Sequence, residues 1–193
     1  MSMDAALEAV FTHGGSWTED DYTALPETPA RIELVDGVLV VSPLSAPPHQ
    51  RLTRRFGNLI EDTCPNRDWE VFDGLNVRLR PGHIRIPDIV VTRSGVTPLY
   101  VPAADVLLVG EVTSPGNFRQ DRIVKHRDYA SAGIPFYVRI DLDLGIDELT
   151  ASAYELVDGA YCQYATAVDG VLRLEHPWPL EANLRALARG RDD

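Results

Sequence analysis

Three side chains in this 193-residue chain have the types and spacing of a hydrolytic site: Asp88, Glu111 and Lys125. Each carboxylate is the lone acid of an apolar run, Asp88 in Ile86-Pro-Asp-Ile-Val-Val91 and Glu111 in Val106-Leu-Leu-Val-Gly-Glu-Val-Thr113. Lys125 is the one lysine among 18 Lys and Arg residues. Arg is a permanently charged planar fork, whereas Lys is a compact point charge whose pKa shifts on burial, so a solitary Lys suits a task that a guanidinium cannot perform. Ionised carboxylates in apolar strands are unfavourable unless compensated. A divalent cation with oxygen ligands, Mg²⁺ or Mn²⁺ in its place, compensates two at once. Such an ion lowers the pKa of a bound water and neutralises charge developing on a phosphate. Two carboxylates on neighbouring strands with a lysine nearby are thus the parts of a metal-dependent phosphodiesterase. The bland alternative is codon bias that exchanged most lysines for arginine and left one by chance.

Positioning these groups falls to the elements around them. Side chains alternate faces along a strand, so Leu107, Val109, Glu111 and Thr113 share one face, as do Ile86, Asp88 and Val90. If the two strands pair, Asp88 and Glu111 converge on one ion. Pro87 removes a backbone donor just before Asp88, which suits a bend. Ser114-Pro115 reads as strand exit and helix entry, and a helix is expected over 118–131, closed by Gly133. Within it Asp121, Lys125 and Tyr129 fall at i, i+4 and i+8, and Phe118, Arg122, Lys125, Tyr129 and Ala132 form one stripe. That stripe places the ammonium near the strand ends. The competing reading is an exposed Asp121–Lys125 pair, worth ~0.2–0.5 kcal/mol.

The rest of the chain reads as one domain. Residues 1–30 form an arm with short helices, one capped by Thr18. Residues 31–185 form the domain and 186–193 a tail. Ile32–Val41 is a β-hairpin turning at Asp36-Gly37. Leu52, Phe56, Leu59 and Ile60 recur at helical spacing, predicting an amphipathic helix from about His49. Strands are expected at 69–72, 75–79, 84–91, 106–113, 135–141, 149–157, 161–165 and 171–174, followed by a short helix. Strands mixed with two helices on one sheet make an α/β or α+β domain.

Composition narrows the function. The chain is 45% hydrophobic and 24% charged, as in ordinary globular proteins. No run is long enough to span a membrane and the acidic N-terminus has no targeting pattern, so a cytoplasmic location is expected. Cys64 and Cys162 are isolated, which argues against a zinc cluster or a disulfide framework. The net charge of −11 counts against broad nucleic-acid affinity. Arginines nevertheless cluster at Arg51, Arg54 and Arg55 and, beside Lys125, at Arg119 and Arg122, which makes them candidates for contacting phosphates.

On these segments the chain resembles the PD-(D/E)xK nuclease superfamily, specifically its Uma-two type of restriction endonuclease-like proteins. The resemblance rests on an ordered set: Glu33-Leu-Val-Asp-Gly37, Ser42-Pro43 with His49-Gln50, Pro87-Asp88-Ile-Val-Val91, Glu111-Val-Thr-Ser-Pro115, Asp121-x-x-x-Lys125-x-x-x-Tyr129 and Tyr137-Val-Arg-Ile-Asp141. It implies a restriction endonuclease-like mixed β-sheet flanked by helices with an N-terminal hairpin. It also implies Asp88 and Glu111 as metal ligands with the Val112 carbonyl as a third, and Glu33, His49, Asp121 and Tyr129 as accessory residues. The superfamily's usual lysine position, two after the second acid, is Thr113 here. The chain is similar to the variant whose lysine has moved to the following helix, at Lys125. Arg139 stands where an aromatic or aliphatic residue is expected.

The expected activity is Mg²⁺-dependent cleavage of DNA, with a homodimer a reasonable form for cutting two strands. A catalytically silent nucleic-acid- or protein-binding domain on the same fold is the alternative, as is a phosphohydrolase of small substrates. Glu33 reads equally as a solvated hairpin acid, His49 as a capping residue, Asp36 as a turn residue and Asp141 as a strand terminus.

Overall fold

The computed structural model describes residues 8–189 except 11, 29, 43–44, 96–98, 114–117 and 144–147, with the backbone alone at 118–122, 143 and 148. β1 (Arg31–Val35) and β2 (Val38–Ser42) form the hairpin that Asp36-Gly37 predicts. Both turn residues take positive φ, 51° at Asp36 and 83° at Gly37, the geometry of a two-residue hairpin turn. β1 also pairs with β5 (His83–Arg85), which pairs with β4 (Val77–Arg80), and β4 holds β7 (Val101–Pro102) in parallel. The result is a five-stranded sheet in the order β2-β1-β5-β4-β7.

A second sheet is built from β3 (Trp69–Asp73), β6 (Ile89–Arg93), β8 (Val106–Thr113), β9 (Phe136–Asp143), β10 (Glu148–Val157) and β11 (Ala160–Thr166). Its order is β11-β10-β9-β8-β6-β3. Only β8 and β9 are parallel within it, so their connection must cross over, and α3 (Phe118–Ser131) lies in that crossover. β12 (Val171–Leu174) and β13 (Leu180–Asn183) make a separate ribbon. One sheet with a continuous strand over 84–91 was the expectation, and the molecule corrects it. Residues 86–88 pair with neither sheet, and the chain passes there from the five-stranded to the six-stranded one. Pro87 lacks the N–H that a ladder would use, which accounts for the break.

Two helices cover the six-stranded sheet. α2 (Pro47–Thr63) starts on Pro47-Pro48, residues suited to a first helical turn. It buries Leu52, Phe56 and Ile60 against Ile89, Val91, Leu108, Val112, Val138 and Ile140. Each such side chain contributes about 1.5–3 kcal/mol when fully buried. On the opposite face Val90, Val109 and Tyr137 pack with Tyr129, Ile134 and Val77. Strand alternation therefore turns Val109 and Glu111 toward α3, and Leu108 and Val112 toward α2. Gly110 sits opposite Ile89, and a Cβ there would come within 3.2 Å of the Ile89 Cβ. Glycine lets β6 and β8 close up next to the two acids.

The N-terminal segment packs on the smaller sheet. α1 (Glu19–Thr23) carries a capping box between Thr18 and Asp21. The Tyr22 hydroxyl donates to the Ile32 carbonyl at 2.9 Å, within a core of Tyr22, Ile32, Leu34 and Ile84. α4 (Leu184–Ala188) docks beside α2. Among the described residues no helix is long and apolar enough to cross a membrane.

Candidate active site

The antiparallel register of β6 and β8 sets Ile89 opposite Gly110, which brings Asp88, one residue before β6, alongside Glu111. Asp88 sits in the bend rather than in a strand, so its carboxylate is not tied to strand alternation. Its Oδ2 accepts from the Val112 amide at 2.8 Å and lies 3.2 Å from His49 Nε2. Its Oδ1 accepts from Arg31 Nη1 at 2.5 Å, while Arg31 Nη2 donates to the Ile86 carbonyl. His49 Nε2 is also 2.7 Å from the Val112 carbonyl.

Glu111 faces α3. The Lys125 ammonium is 3.3 Å and 3.4 Å from its two oxygens, and the Tyr129 hydroxyl donates to Oε1 at 2.6 Å. Lys125 and Tyr129 are one helical turn apart, so both reach the same carboxylate. The ammonium is also 3.6 Å from Glu33 Oε1. Glu33 comes from the smaller sheet, where it accepts from the Ile86 amide and from Arg85 Nη1, both at 2.9 Å. The cluster therefore lies where the two sheets meet. Asp88 and Glu111 are each 5% exposed, Glu33 2% and Lys125 9%. Lys125 does not extend into solvent as a surface pair would require.

Burial acts on all these groups, and their partners decide the outcome. Burial, reinforced by the negative charge of Asp88, pushes Glu111 up to about 7 against the pull of Lys125, Arg31 and Tyr129. Burial would also raise Asp88, but His49 and Arg31 hold it well below the usual carboxylate range. Glu33 is likewise held low, because Lys125, Arg85 and the Ile86 amide outweigh its burial. Burial would lower His49, yet Asp88 and the Val112 carbonyl raise it.

The structure brings together Asp88, Glu111, Lys125, Tyr129, Glu33, His49 and Val112. Glu33 is not a solvated hairpin acid. His49 is not a cap either, since α2 begins two residues earlier with Ala46 at its N-cap. Asp36 is a turn residue held by Arg80 at 2.5 Å and 2.8 Å. Thr113 donates to Asp141 at 2.5 Å, and Asp141 also pairs with Arg139 at 3.1 Å. Arg54 opens onto the cavity beside Asp88, as does Arg51, which also donates to the Ala188 carbonyl at 3.1 Å. Arg55 is engaged elsewhere, donating to the Ala186, Leu187 and Arg189 carbonyls at the end of α4. The side chains of Arg119, Asp121 and Arg122 lie outside the described residues.

Sequence reasoning missed Arg31, Arg85, His83 and Asp128. Asp128 accepts from Arg85 Nη2 at 2.7 Å and lies 3.1 Å from His83 Nε2, which ties α3 to β5. The signal was present: Arg85 is a charged residue in the apolar run His83-Ile-Arg-Ile, the same criterion that marks Asp88 and Glu111.

An open cavity of about 710 Å³ adjoins Asp88, lined in part by Arg31, His49, Gln50, Arg51, Arg54 and Asp73. Of the three groups that the resemblance implies as metal ligands, Asp88 lines this cavity, and all three offer the oxygen atoms that a hard cation takes. Glu111 is raised first by burial and then by the charge of Asp88, and a nearby dication would oppose both effects. Among the described residues no group of three or more His, Cys, Asp or Glu side chains is placed to hold a metal ion.

Residues 19–187 match the Uma2 family model, described as "Putative restriction endonuclease". Among solved structures, the chain is similar to a putative nuclease belonging to DUF820 from Anabaena variabilis. The two share 19% identity and superpose with a TM-score of 0.69 over 90% of this chain and 99% of that one. At that identity the likeness shows the fold. No curated protein matches the chain.

Proposed function

The chain belongs to the Uma2 family described as "Putative restriction endonuclease", and from that premise we propose that it is a metal-dependent endonuclease hydrolysing DNA phosphodiester bonds. The observation that carries this reading is the Lys125 ammonium, 3.3 Å from Glu111 at the register position where Asp88 stands alongside. Asp88, Glu111 and the Val112 carbonyl would hold a Mg²⁺ or Mn²⁺ ion. Such an ion supplies an acidified water and neutralises charge at the phosphate.

The chain's own groups do the remaining work. His49 aims the Val112 carbonyl and keeps Asp88 ionised. Tyr129 fixes Glu111 in one rotamer by its hydrogen bond. Lys125 brings a compact positive charge to the reacting phosphate or its attacking water, in a buried place where a fixed charge acts more strongly than in water. Glu33, itself neutralised by Arg85, anchors that ammonium from the opposite sheet. Arg51 and Arg54 offer cationic contacts along the cavity.

Supercoiled plasmid incubated with Mg²⁺ or Mn²⁺ tests the proposal. Wild type is expected to nick or linearise it, with no cleavage in EDTA or by Asp88→Ala. An inert wild type that still binds DNA would instead indicate a silent binding domain. A small phosphodiester substrate is the second reading, favoured by the net charge of −11 and the concave cavity. Hydrolysis of bis-p-nitrophenyl phosphate without plasmid cleavage would select it. Cutting both strands calls for two sites, so the working form on duplex DNA is a homodimer, which sedimentation with and without DNA checks.

A further inference from the structure

We propose that Arg31 is a phosphate-binding residue held in reserve. While no cation is bound, its guanidinium is the counterion of Asp88; once a divalent cation takes that carboxylate, the guanidinium turns into the adjoining cavity to grip a substrate phosphate. The inference rests on the metal-dependent reading above.

Three features of Arg31 converge on it. First, it occupies the exchangeable oxygen. Asp88 Oδ2 is committed to the Val112 amide at 2.8 Å and to His49 at 3.2 Å, whereas Oδ1 accepts from Arg31 Nη1. A cation approaching Oδ1 therefore meets Arg31 as its competitor, and two positive centres on one oxygen repel. Second, the guanidinium is incompletely satisfied where it lies. Nη2 reaches the Ile86 carbonyl, but the buried Nε has no hydrogen-bond partner among the described residues. A buried donor left unmatched is unfavourable, so this resting position is not the one that uses the fork fully.

Third, Arg31 has a destination. Its side chain is 21% exposed, and it lines the cavity of about 710 Å³ together with Arg51 and Arg54. A planar fork binds phosphate oxygens in pairs, which a carboxylate holding one Nη does not exploit. Displacement from Asp88 thus couples cation binding to substrate binding: the guanidinium becomes available when the site is loaded.

Arg31→Gln in the full chain tests this by two readouts that need no turnover. In titration calorimetry without DNA, the variant is expected to bind Mn²⁺ about tenfold tighter, ~1.4 kcal/mol at 25 °C, because the competitor is gone. In fluorescence anisotropy with a labelled duplex in Ca²⁺, it is expected to bind about tenfold more weakly, with the salt slope reduced by about one, as loss of one phosphate contact requires. In EDTA its DNA binding matches wild type. Arg31→Lys, which keeps the charge at Asp88, guards against misfolding and is expected to fall between. Mn²⁺ binding unchanged or weaker in Arg31→Gln, or an unchanged salt slope in Ca²⁺, overturns the proposal while leaving the metal site standing. Absence of Mn²⁺ binding in both wild type and Arg31→Gln overturns the metal reading and this inference together.

Discussion

Glu33 and Glu111 are the same residue type, both are buried, and both lie against the Lys125 ammonium, at 3.6 Å and 3.3 Å. Yet Glu33 is held below the ordinary glutamate value and Glu111 is raised to about 7. The difference lies in their other neighbours. Glu33 has Arg85 and the Ile86 amide, and Arg85 is in turn held by Asp128. Glu111 has Tyr129 as donor, but it also has Asp88 beside it. One half of the charge cluster is saturated and serves as scaffold, while the other is left short of positive charge. A buried acid that its surroundings leave under-compensated is where a cation gains most.

The largest effect is expected on the saturated side. Glu33→Gln leaves Arg85 with one carboxylate partner and Lys125 with a weaker anchor. Breaking a buried, hydrogen-bonded pair typically costs about 3–5 kcal/mol. The depressed Glu33 contributes stability that is present above its unfolded value of 4.5 and lost as pH falls toward the folded value. Urea unfolding should therefore separate Glu33→Gln from wild type widely at neutral pH and less in acid. A variant as stable as wild type at neutral pH would mean that Glu33 is not scaffold.

Next comes the shared ammonium. Lys125→Ala is expected to lower cleavage ~10²–10³-fold, the scale for removing one preorganised electrostatic stabiliser, with circular dichroism unchanged. Lys125→Arg should rescue poorly, since a fork does not fit where a point charge sits between two glutamates. Full activity in Lys125→Ala would remove the residue from the chemistry.

Glu111→Gln sharpens the contrast because its sign is opposite. A raised carboxyl gives stability that is fully present below the unfolded value of 4.5 and is lost as pH rises through about 7. Without divalent cation, wild type should lose stability across that window and Glu111→Gln should not. Above it the variant is expected to be the more stable by ~1–3 kcal/mol, while cleaving no DNA. Parallel pH profiles for the two proteins would show that Glu111 is compensated like Glu33.

These two halves were not equally legible in the sequence. Asp88, Glu111 and Lys125 stood out because a charge in an apolar run or a solitary residue type is visible locally. The helical stripe found Tyr129 as well. Glu33 looked like any hairpin acid because its partner Arg85 lies 52 residues away and on another strand. Arg31 was hidden likewise, 57 residues from Asp88. The arginines at 51, 54 and 55 were grouped by adjacency, whereas helical spacing lets Arg51 neighbour both others: Arg51 and Arg55 reach the carbonyls of the last helix, and Arg51 and Arg54 line the cavity. The split of 84–91 between two sheets was foreshadowed by Pro87, but which sheet each half joins depends on long-range pairing that no local pattern encodes.

The smallest effect is expected at the outer end of the saturated network, where it reaches the surface. Asp36 holds Arg80 through two oxygens and lies 3.3 Å from His83 Nδ1, whose other nitrogen faces Asp128. Asp36 is more than half exposed, so water and salt screen these charges. Asp36→Asn keeps a residue tolerant of the positive φ in the hairpin turn and removes only the charge. Its loss of stability should stay below about 1 kcal/mol. The Arg80 hydrogen bonds, aided by His83, hold Asp36 down to about 2, so the difference should be present above the ordinary value of 3.8 and fade as pH falls toward 2. It should also shrink at high salt. Cleavage should match wild type, since no charge at the cluster changes. A loss as large as that of Glu33→Gln would instead mean that the network acts as one unit from surface to site, and the division between scaffold and reactive halves would have to be redrawn at His83.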